Sequence, residues 1–344
     1  MKFGVKIGPI KGWMEHVELA ERQGFDYIWF GADHTYTDSC SALAYAATRT
    51  KRIRLAPLAN SVYLRHPVYI ASATTLIDEF SNGRAVAGLC SAGFEATVRL
   101  KIQAREPTVM IKETIEIMRG LWKGAPLNYA GKFFTLSNVK LTYTTREDIP
   151  IFIATRGSKL KLAGEMCDGV FTHGKALNYV RIMAREIGDA ARKAGRKAEA
   201  IDLGSVIPFK ITSNKNEADA AKKGLRPLMA GFVGGEWPMA EWAESQELSV
   251  EELKPIKKAV SEGDFQKARN LIGDRLLDKI VKAYCIIGNV DECLDEVKAL
   301  EKAGITQVIP MVNSVLPGEE YRKEIKDLLE LFGKEIIPRF KKGC

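Results

Sequence analysis

Short segments that are apolar throughout alternate along this chain with longer segments in which apolar residues recur every three or four positions. The short runs are typical of strands buried on both faces, and the longer period is typical of helices packed on one side. The predicted strands are Lys2–Gly8, Asp26–Phe30, Ile53–Leu58, Ala85–Cys90, Ile151–Ala154, Gly169–Thr172, Ile201–Thr212 and Gln307–Met311. Because helices separate them, these strands are expected to run parallel with crossover helices.

Helical periodicity fills the intervals between the strands. The predicted helices are Trp13–Gly24, Ser41–Thr48, Pro67–Phe80, Thr108–Trp122, Lys159–Met166, Val250–Ser261 and Phe265–Ile272. Gly131–Tyr143, rich in β-branched and aromatic residues, predicts a hairpin inserted before the fifth strand. Eight strands alternating with helices favour a closed (β/α)8 TIM barrel over an open sheet. We expect one domain across residues 1–344, with a helical insertion at 214–304 before the last strand.

Composition places the chain among ordinary globular proteins. Of its 344 residues, 46% are hydrophobic and 27% are charged, which is enough apolar side chain for a sizeable core. No apolar run reaches the roughly 20 residues that span a bilayer, and the N-terminus begins with a strand pattern instead of a signal sequence. We therefore expect no membrane segment and a cytoplasmic location. The six cysteines form no CxxC pair, so neither a metal site nor a disulfide framework is expected.

The net charge of +8 bears on the kind of molecule that the protein binds. Basic and acidic residues are interleaved along helical stretches, as on solvated helix faces, so no nucleic-acid partner is expected. A small polyanionic ligand fits the positive surplus. The chain also lacks a P-loop and the HExxH and GxSxG motifs, which leaves nucleotidyl-transfer and hydrolase chemistry without support.

In a TIM barrel the active site lies at the carboxyl ends of the strands, so the residues that follow each apolar run are the candidates. Strand two ends at Asp33 and His34, a carboxylate and an imidazole suited to acid-base chemistry near neutral pH. The alternative is that Asp33 caps the next helix and His34 packs. Strand three ends at Leu58, Ala59 and Asn60, whose backbone and amide groups can bond to a heterocycle or form an ordinary loop.

Strand four ends in small residues followed by an acid. Ser91, Ala92 and Gly93 would let a planar ring approach the backbone, and Glu95 supplies a second carboxylate.

Strands five and six each end in a cluster typical of anion sites. The first comprises Arg156, Gly157 and Ser158 ahead of a helix, with helix capping by Ser158 as the alternative. The second comprises Thr172, His173, Gly174 and Lys175. Together they suggest a phosphate held between strands five and six, with a ring lying over strands two to four.

Five segments of the chain resemble the bacterial-luciferase-like superfamily, in particular its branch that uses coenzyme F420, a 5-deazaflavin. They are GFDYIWFGADH at 24–34, RHPVYIASATTLIDEFSNGRAVAGL at 65–89, GKFFTLSNVKL at 131–141, IPIFIATRGSKLKLAGEMCDGVFTHGK at 149–175 and GNVDECLDEVKALEKAGITQVI at 288–309. The resemblance runs nearly end to end and implies a TIM barrel. It is less specific for the cofactor, because FMN-dependent members share the layout.

The resemblance also implies roles for individual residues. His34 matches an active-site histidine, and Leu58-Ala59 matches a non-prolyl cis peptide that lies against the central ring of the cofactor. Arg156, Gly157 and Thr172 match positions around the cofactor phosphate, and Lys175 resembles a lysine that reaches an anionic group. A homodimer is implied as well. Lys6 departs from the tetrahydropterin-reducing branch, which has a glutamate there, and is similar to the sugar-phosphate-oxidising branch.

These observations lead to three hypotheses. The first is an F420-dependent oxidoreductase that exchanges hydride with a small organic substrate, which could be a one-carbon tetrahydropterin, an alcohol or a sugar phosphate. In it His34 handles the proton, with Glu95 as its partner or the proton donor and Asp33 beside it. The second is an FMN-dependent monooxygenase on the same barrel. The third is a homologue that binds the cofactor without turnover.

Overall fold

The computed structural model describes residues 1–31, 37–91, 95–155, 157, 159–235, 243 and 248–341. The chain divides into two compact units. The N-terminal unit comprises residues 6–171 and 186–202, and the C-terminal unit comprises residues 1–5, 172–185 and 203–344. The expectation of a single domain across 1–344 stays a prediction.

Parallel strands form the centre of the N-terminal unit. The strands are β1 (Lys2–Ile7, shared with the other unit), β2 (Tyr27–Gly31), β3 (Arg54–Leu58), β4 (Asn60–Ser61), β5 (Ala87–Cys90), β6 (Leu127–Ala130), β7 (Thr135–Val139), β8 (Ile151–Ala154) and β9 (Gly169–His173). β2 pairs with β3, and β4, β5, β8 and β9 pair in that order, all parallel. A bridge from Leu55 to Ala85 joins β3 to the residues before β5. β6 and β7 form a separate antiparallel hairpin.

The C-terminal unit has its own parallel pairs. Its further strands are β10 (Asp202–Ile211), β11 (Ile286–Gly288) and β12 (Gln307–Met311). β12 pairs with the start of β1 on one side and with β10 on the other, and β11 pairs with β10. The parallel strands predicted from the apolar runs are therefore confirmed in both units.

Helices follow most of these strands. They are α1 (Trp13–Arg22), α2 (Ser39–Arg49), α3 (Pro67–Ser81), α4 (Pro107–Trp122), α5 (Lys159–Met166), α6 (Leu177–Lys193), α7 (Lys215–Gly224), α8 (Arg226–Gly234), α9 (Val250–Ser261), α10 (Phe265–Asn270), α11 (Asp274–Tyr284), α12 (Val290–Ala303), α13 (Gly318–Leu331) and α14 (Ile337–Lys341). Among the described residues, no helix is both long enough and apolar enough to cross a bilayer.

Local side chains set where several helices begin and end. Asp38 accepts a hydrogen bond from the backbone N–H of Ser41 at the start of α2. Asn289 and Glu292 form a reciprocal capping box at the start of α12. Gly304 ends α12 in the left-handed region, with φ at 110°, where a side chain would be strained.

Four aromatic rings pack together in the core of the N-terminal unit. Trp29 is fully buried and lies 5.3 Å from Phe152 and 5.1 Å from Phe171 between ring centroids, and Tyr27 stacks on Trp29 at 5.9 Å. Gly169 makes room for this cluster, because a Cβ there would lie 2.1 Å from the Phe152 ring. Such rings stabilise a core mainly through the large apolar area that they bury.

The predicted hairpin is confirmed, with its first strand at 127–130, earlier than the 131–143 expected. Glu113 of α4 holds it in place. This buried carboxylate accepts hydrogen bonds from the backbone N–H groups of Lys132 at 2.6 Å, Phe133 at 3.0 Å and Phe134 at 3.2 Å. Gly131 is required nearby, since a Cβ there would lie 2.5 Å from Glu113 Oε2.

Three regions differ from the sequence expectations. The 214–304 region is not wholly helical, because it contains β11, a strand of three residues that is too short to show a period. Residues 95–99 form a π-helical turn, and residues 60–61 form the short strand β4, neither of which was predicted.

Candidate cofactor site

In the N-terminal unit the candidate site includes the end of β3. The peptide bond between Leu58 and Ala59 is cis, as the family resemblance implies. The chain then continues into β4, which pairs with β5 through Asn60 opposite Leu89 and Ser61 opposite Cys90. The predicted Leu58, Ala59 and Asn60 therefore lie at the carboxyl end of paired parallel strands, where ligands bind in this class of fold.

Hydrogen bonds hold this segment on the side of β5. Ser61 is fully buried, and its hydroxyl donates to the carbonyl of Ser91 at 3.0 Å. The Cys90 thiol approaches the Ala59 carbonyl at 3.5 Å, and the Val62 N–H donates to the Cys90 carbonyl at 3.0 Å. The predicted Ser91 is thus buried, and its carbonyl fixes the chain that follows the cis peptide.

On its other side the segment contacts the start of α2. Asn60 is 2% exposed, and its Oδ1 accepts from the Ser39 hydroxyl at 3.3 Å and lies 4.0 Å from the Cys40 thiol. Asn60 Nδ2 lies 3.7 Å from the Cys40 sulfur. Burial raises the pKa of the Cys40 thiol, although the contacts with Asn60 and Ser39 partly oppose this. Cys40 is therefore a neutral packing group here.

Several predicted residues lie outside the described part of the chain. These are Asp33, His34, Ala92, Gly93, Arg156 and Ser158. Of Glu95 only the backbone is described, in the π-helical turn at 95–99. Their proposed catalytic and binding roles stay predictions.

At the end of β8 a hydroxyl group lacks a hydrogen-bond partner. Thr155 is 4% exposed, and its Oγ1 makes no hydrogen bond within the described residues. Gly157 has φ at 60°, and its carbonyl accepts from the Leu160 N–H at 2.9 Å, where α5 begins. Buried polar groups are nearly always satisfied in folded proteins, so the partner of this hydroxyl lies beyond the described residues. Thr155 was not among the predicted site residues, although it ends strand five directly before Arg156, as Thr172 ends strand six.

In the C-terminal unit Thr172 has the same property. Its side chain is 3% exposed, and its Oγ1 has no hydrogen-bond partner among the described residues. Thr172 follows Phe171 in β9.

The residues after Thr172 are held by the C-terminal unit itself. The ring of His173 lies edge-on to Phe232 with centroids 5.3 Å apart. Gly174 has φ at 86°, and a Cβ there would lie 2.9 Å from the Tyr284 ring. The Lys175 side chain is 10% exposed, and its ammonium forms an ion pair with Glu296 of α12. Its charge is thus already balanced by a carboxylate of the same unit.

The fold and these strand ends define the chain as a parallel β/α protein of the class that binds ligands at the carboxyl ends of its strands. The model of the luciferase-like monooxygenase family matches residues 4–307, and the chain belongs to this family.

Relatives match the chain along its whole length. The 5,10-methylenetetrahydromethanopterin reductase of Archaeoglobus fulgidus is 30% identical over 99% of this chain and 100% of its own length. The enzyme of the same name from Methanolobus tindarius is 30% identical over 98% of this chain and 100% of its own.

Among solved structures, the coenzyme F420-dependent tetrahydromethanopterin reductase of Methanopyrus kandleri superposes with a TM-score of 0.84 at 25% identity, covering 99% of both chains. An F420-dependent secondary alcohol dehydrogenase superposes at 0.74 with 19% identity, over 96% of this chain and 97% of its own, and shares the fold. The predicted TIM-barrel class is confirmed by these likenesses.

Proposed function

We propose that this protein is an F420-dependent oxidoreductase that exchanges hydride between the deazaflavin and a small organic substrate. The observation that carries the proposal is the end-to-end likeness to relatives named as methylenetetrahydromethanopterin reductases, in sequence and in fold. When bound, the deazaflavin supplies the hydride chemistry, and the protein supplies binding, orientation and control of protons.

The buried hydroxyls fit such a cofactor. Thr155 Oγ1 and Thr172 Oγ1 are donors without partners in the described residues, and a phosphate or a hydroxyl-bearing tail supplies acceptors for them. Gly157, in the left-handed region, presents bare backbone beside Thr155.

The residues have three kinds of role in this proposal. The backbone of Leu58, Ala59 and Asn60 with Ser91, Ala92 and Gly93 supports the ring. His34, Asp33 and Glu95 hold or move a proton near the reacting atoms. The tail is bound by Arg156, Gly157, Ser158, Thr172, His173, Gly174 and Lys175, with Thr155 added. Because Glu296 balances the charge of Lys175, this lysine offers its remaining N–H donors rather than an unpaired charge.

The substrate we favour is a one-carbon tetrahydropterin of the kind named for the relatives, which places the reaction in one-carbon metabolism. Lys6, which departs from the tetrahydropterin-reducing branch, makes a sugar phosphate or an alcohol the alternatives to test.

A fluorescence titration of the purified protein with F420 and, separately, with FMN tests the cofactor. We expect saturable binding of F420 with FMN ignored, followed by cofactor turnover with methylenetetrahydromethanopterin and not with glucose 6-phosphate or 2-propanol. The His34→Ala variant should bind F420 as the parent does and lose most of the turnover. A preference for FMN would overturn the proposal in favour of a monooxygenase, and binding without turnover on any substrate would identify a non-catalytic homologue.

We further propose that the protein works as a homodimer in the cytoplasm. Support for the dimer comes from α3, where Tyr69, Leu76 and Phe80 are 72%, 39% and 48% exposed and share one helix face. Support for the compartment comes from the sequence, whose six cysteines form no CxxC pair and suggest no disulfide framework.

A further inference from the structure

Asn60 is a buried amide whose recorded side-chain contacts are with the start of α2. It is 2% exposed, and its Oδ1 faces the hydroxyl of Ser39 and the thiol of Cys40. A carbonyl oxygen has two lone pairs, so these two donors occupy its acceptor capacity. One N–H of the amide faces the Cys40 sulfur at 3.7 Å, so the oxygen and part of the nitrogen are engaged by the first turn of α2.

A second contact ties the same stretch of chain to the same helix end. Arg65, five residues after Asn60, forms an ion pair with Asp38, and Asp38 caps the start of α2. The stretch 60–65 is thus attached to the beginning of α2 at both of its ends. α2 begins five residues after His34 in the chain. The end of β3 and the chain that follows the predicted catalytic residues Asp33 and His34 are consequently both attached to the start of α2.

From these contacts we infer that Asn60 is a positioning residue, which fixes the backbone of 58–60 against the first turn of α2 so that the cofactor ring meets a preformed surface. The inference rests on the proposed function, and it replaces a direct contact between the Asn60 side chain and the cofactor with an indirect role. Preformed surfaces bind more tightly, because the ordering of the protein does not have to be supplied by the ligand.

Two substitutions separate the contribution of the amide oxygen of Asn60 from that of its nitrogen. Asn60→Leu keeps the approximate volume and removes both polar atoms, whereas Asn60→Asp keeps an oxygen that accepts from Ser39 and Cys40. The matched control is Asn289→Ala, which removes the cap of α12, where Asn289 Oδ1 accepts from the Glu292 N–H at 3.0 Å. That loss lowers the free energy of unfolding without touching the end of β3.

Hydrogen exchange of the cofactor-free protein, read by mass spectrometry, tests the positioning directly. In Asn60→Leu the amides of 58–65 and of the first turn of α2 should exchange at least tenfold faster than in the parent, while Asn289→Ala should leave them unchanged and Asn60→Asp should show a smaller change. Equal exchange in Asn60→Leu and the parent would overturn the inference, as would faster exchange spread evenly over the protein. This result does not depend on which cofactor binds.

Affinity and turnover then test the consequence. With whichever of F420 or FMN the parent binds, Asn60→Leu should weaken cofactor binding and lower kcat together by about tenfold or more, because a misplaced ring reacts poorly. Asn60→Asp should recover most of both, and the KM for substrate should change little. If F420 does not bind the parent, the proposed function fails while the exchange result still decides the role of Asn60. Unchanged cofactor affinity and kcat in Asn60→Leu would refute that role.

Discussion

Thr155 is the residue whose surroundings point most directly to a ligand. Its buried hydroxyl has no partner within the described residues, so an apolar group of the same shape removes a desolvated polar atom and breaks no hydrogen bond among those residues. Thr155→Val should leave the free energy of unfolding unchanged or raise it by up to about 1 kcal/mol. The same variant should weaken F420 binding by about tenfold, the equivalent of one lost hydrogen bond of about 1.4 kcal/mol. Urea unfolding and the fluorescence titration measure the two effects.

Thr114 provides the matched control for this prediction. It is fully buried in α4, and its hydroxyl donates to the Met110 carbonyl at 2.8 Å. Thr114→Val should therefore lower the free energy of unfolding by about 1 kcal/mol and leave F420 affinity unchanged. Equal destabilisation by the two substitutions, with no effect of Thr155→Val on binding, would contradict the assignment of Thr155 to the cofactor site.

Glu21 gives the protein a pH-dependent contribution to stability. Its partial burial alone would raise the pKa of this carboxyl, but the backbone N–H groups of Ile53, Arg52 and Lys51, together with the charge of Arg84, lower it on balance. A lowered pKa in the folded state means that the stabilisation is present above the unfolded pKa of about 4.3 and is lost as pH falls through the folded value.

Glu21→Gln should therefore destabilise the protein at pH 7 and do so less at low pH. We expect a loss of about 1 kcal/mol at pH 7, a value kept small because solvent reaches this carboxylate, and a shrinking difference below about pH 4. Urea unfolding at a series of pH values measures it, with exposed Glu199→Gln as the control. A difference that stays constant from pH 7 to pH 3 would show that the charge of Glu21 is irrelevant.

At the scale of the elements, long periodic segments could be predicted and short ones could not. α3 and α9 were predicted from their apolar periods and have local caps, so their positions follow from nearest neighbours in the sequence. β11 has three residues, and its pairing with β10 depends on contacts distant in the chain. The π-helical turn at 95–99 likewise has no local signal. Elements whose position depends on contacts distant in the chain are therefore the ones that sequence patterns do not predict.

The packing of α5 on α6 supplies a test at this scale. A Cβ on Gly164 would lie 2.4 Å from the Ile187 carbonyl oxygen and 2.7 Å from the Ala190 Cβ. Alanine favours a helix over glycine by about 1 kcal/mol, but the overlap falls on backbone that cannot move cheaply. Gly164→Ala should therefore lower the free energy of unfolding by about 1–2 kcal/mol.

Gly231 of α8 is the opposite case, since a Cβ there would meet no atom of the described residues within 4 Å. Gly231→Ala should raise the free energy of unfolding by up to about 1 kcal/mol through helix propensity alone. Urea denaturation of both variants separates packing from propensity. If both substitutions raised the free energy of unfolding, the close approach of α5 and α6 would not prevent a Cβ at Gly164.

At the scale of the whole molecule, the sequence was informative about the fold class and the strand ends and less so about which side chains pair there. The residues after each apolar run indicated the strand ends, and the family resemblance correctly implied the cis peptide at Leu58-Ala59. The partners of Asn60 and Lys175 could not be predicted, because Ser39 and Glu296 are 21 and 121 residues away in the chain. Such pairings depend on the folded arrangement and leave no local pattern.

The net charge bears on how two copies would associate. Each chain carries +8, so like charges oppose association over most of the surface. α3 contains no lysine or arginine and exposes Tyr69, Leu76 and Phe80 on one face. The helix therefore combines exposed apolar side chains with the absence of basic residues of its own, which is the basis for proposing this face as the dimer interface.

Light scattering coupled to gel filtration decides whether the protein is a monomer or a homodimer. A chain of 38.1 kDa should elute as a dimer of about 76 kDa, twice that mass. Leu76→Glu combined with Phe80→Glu places two carboxylates on the face, and their desolvation on association should shift the protein to the monomer mass. Val315→Glu changes an exposed apolar residue outside α3, at 52% exposure, and should leave the dimer intact. Persistence of the dimer in the α3 double variant would assign the interface to another surface, and a parent that elutes at 38.1 kDa would show that the chain acts as a monomer.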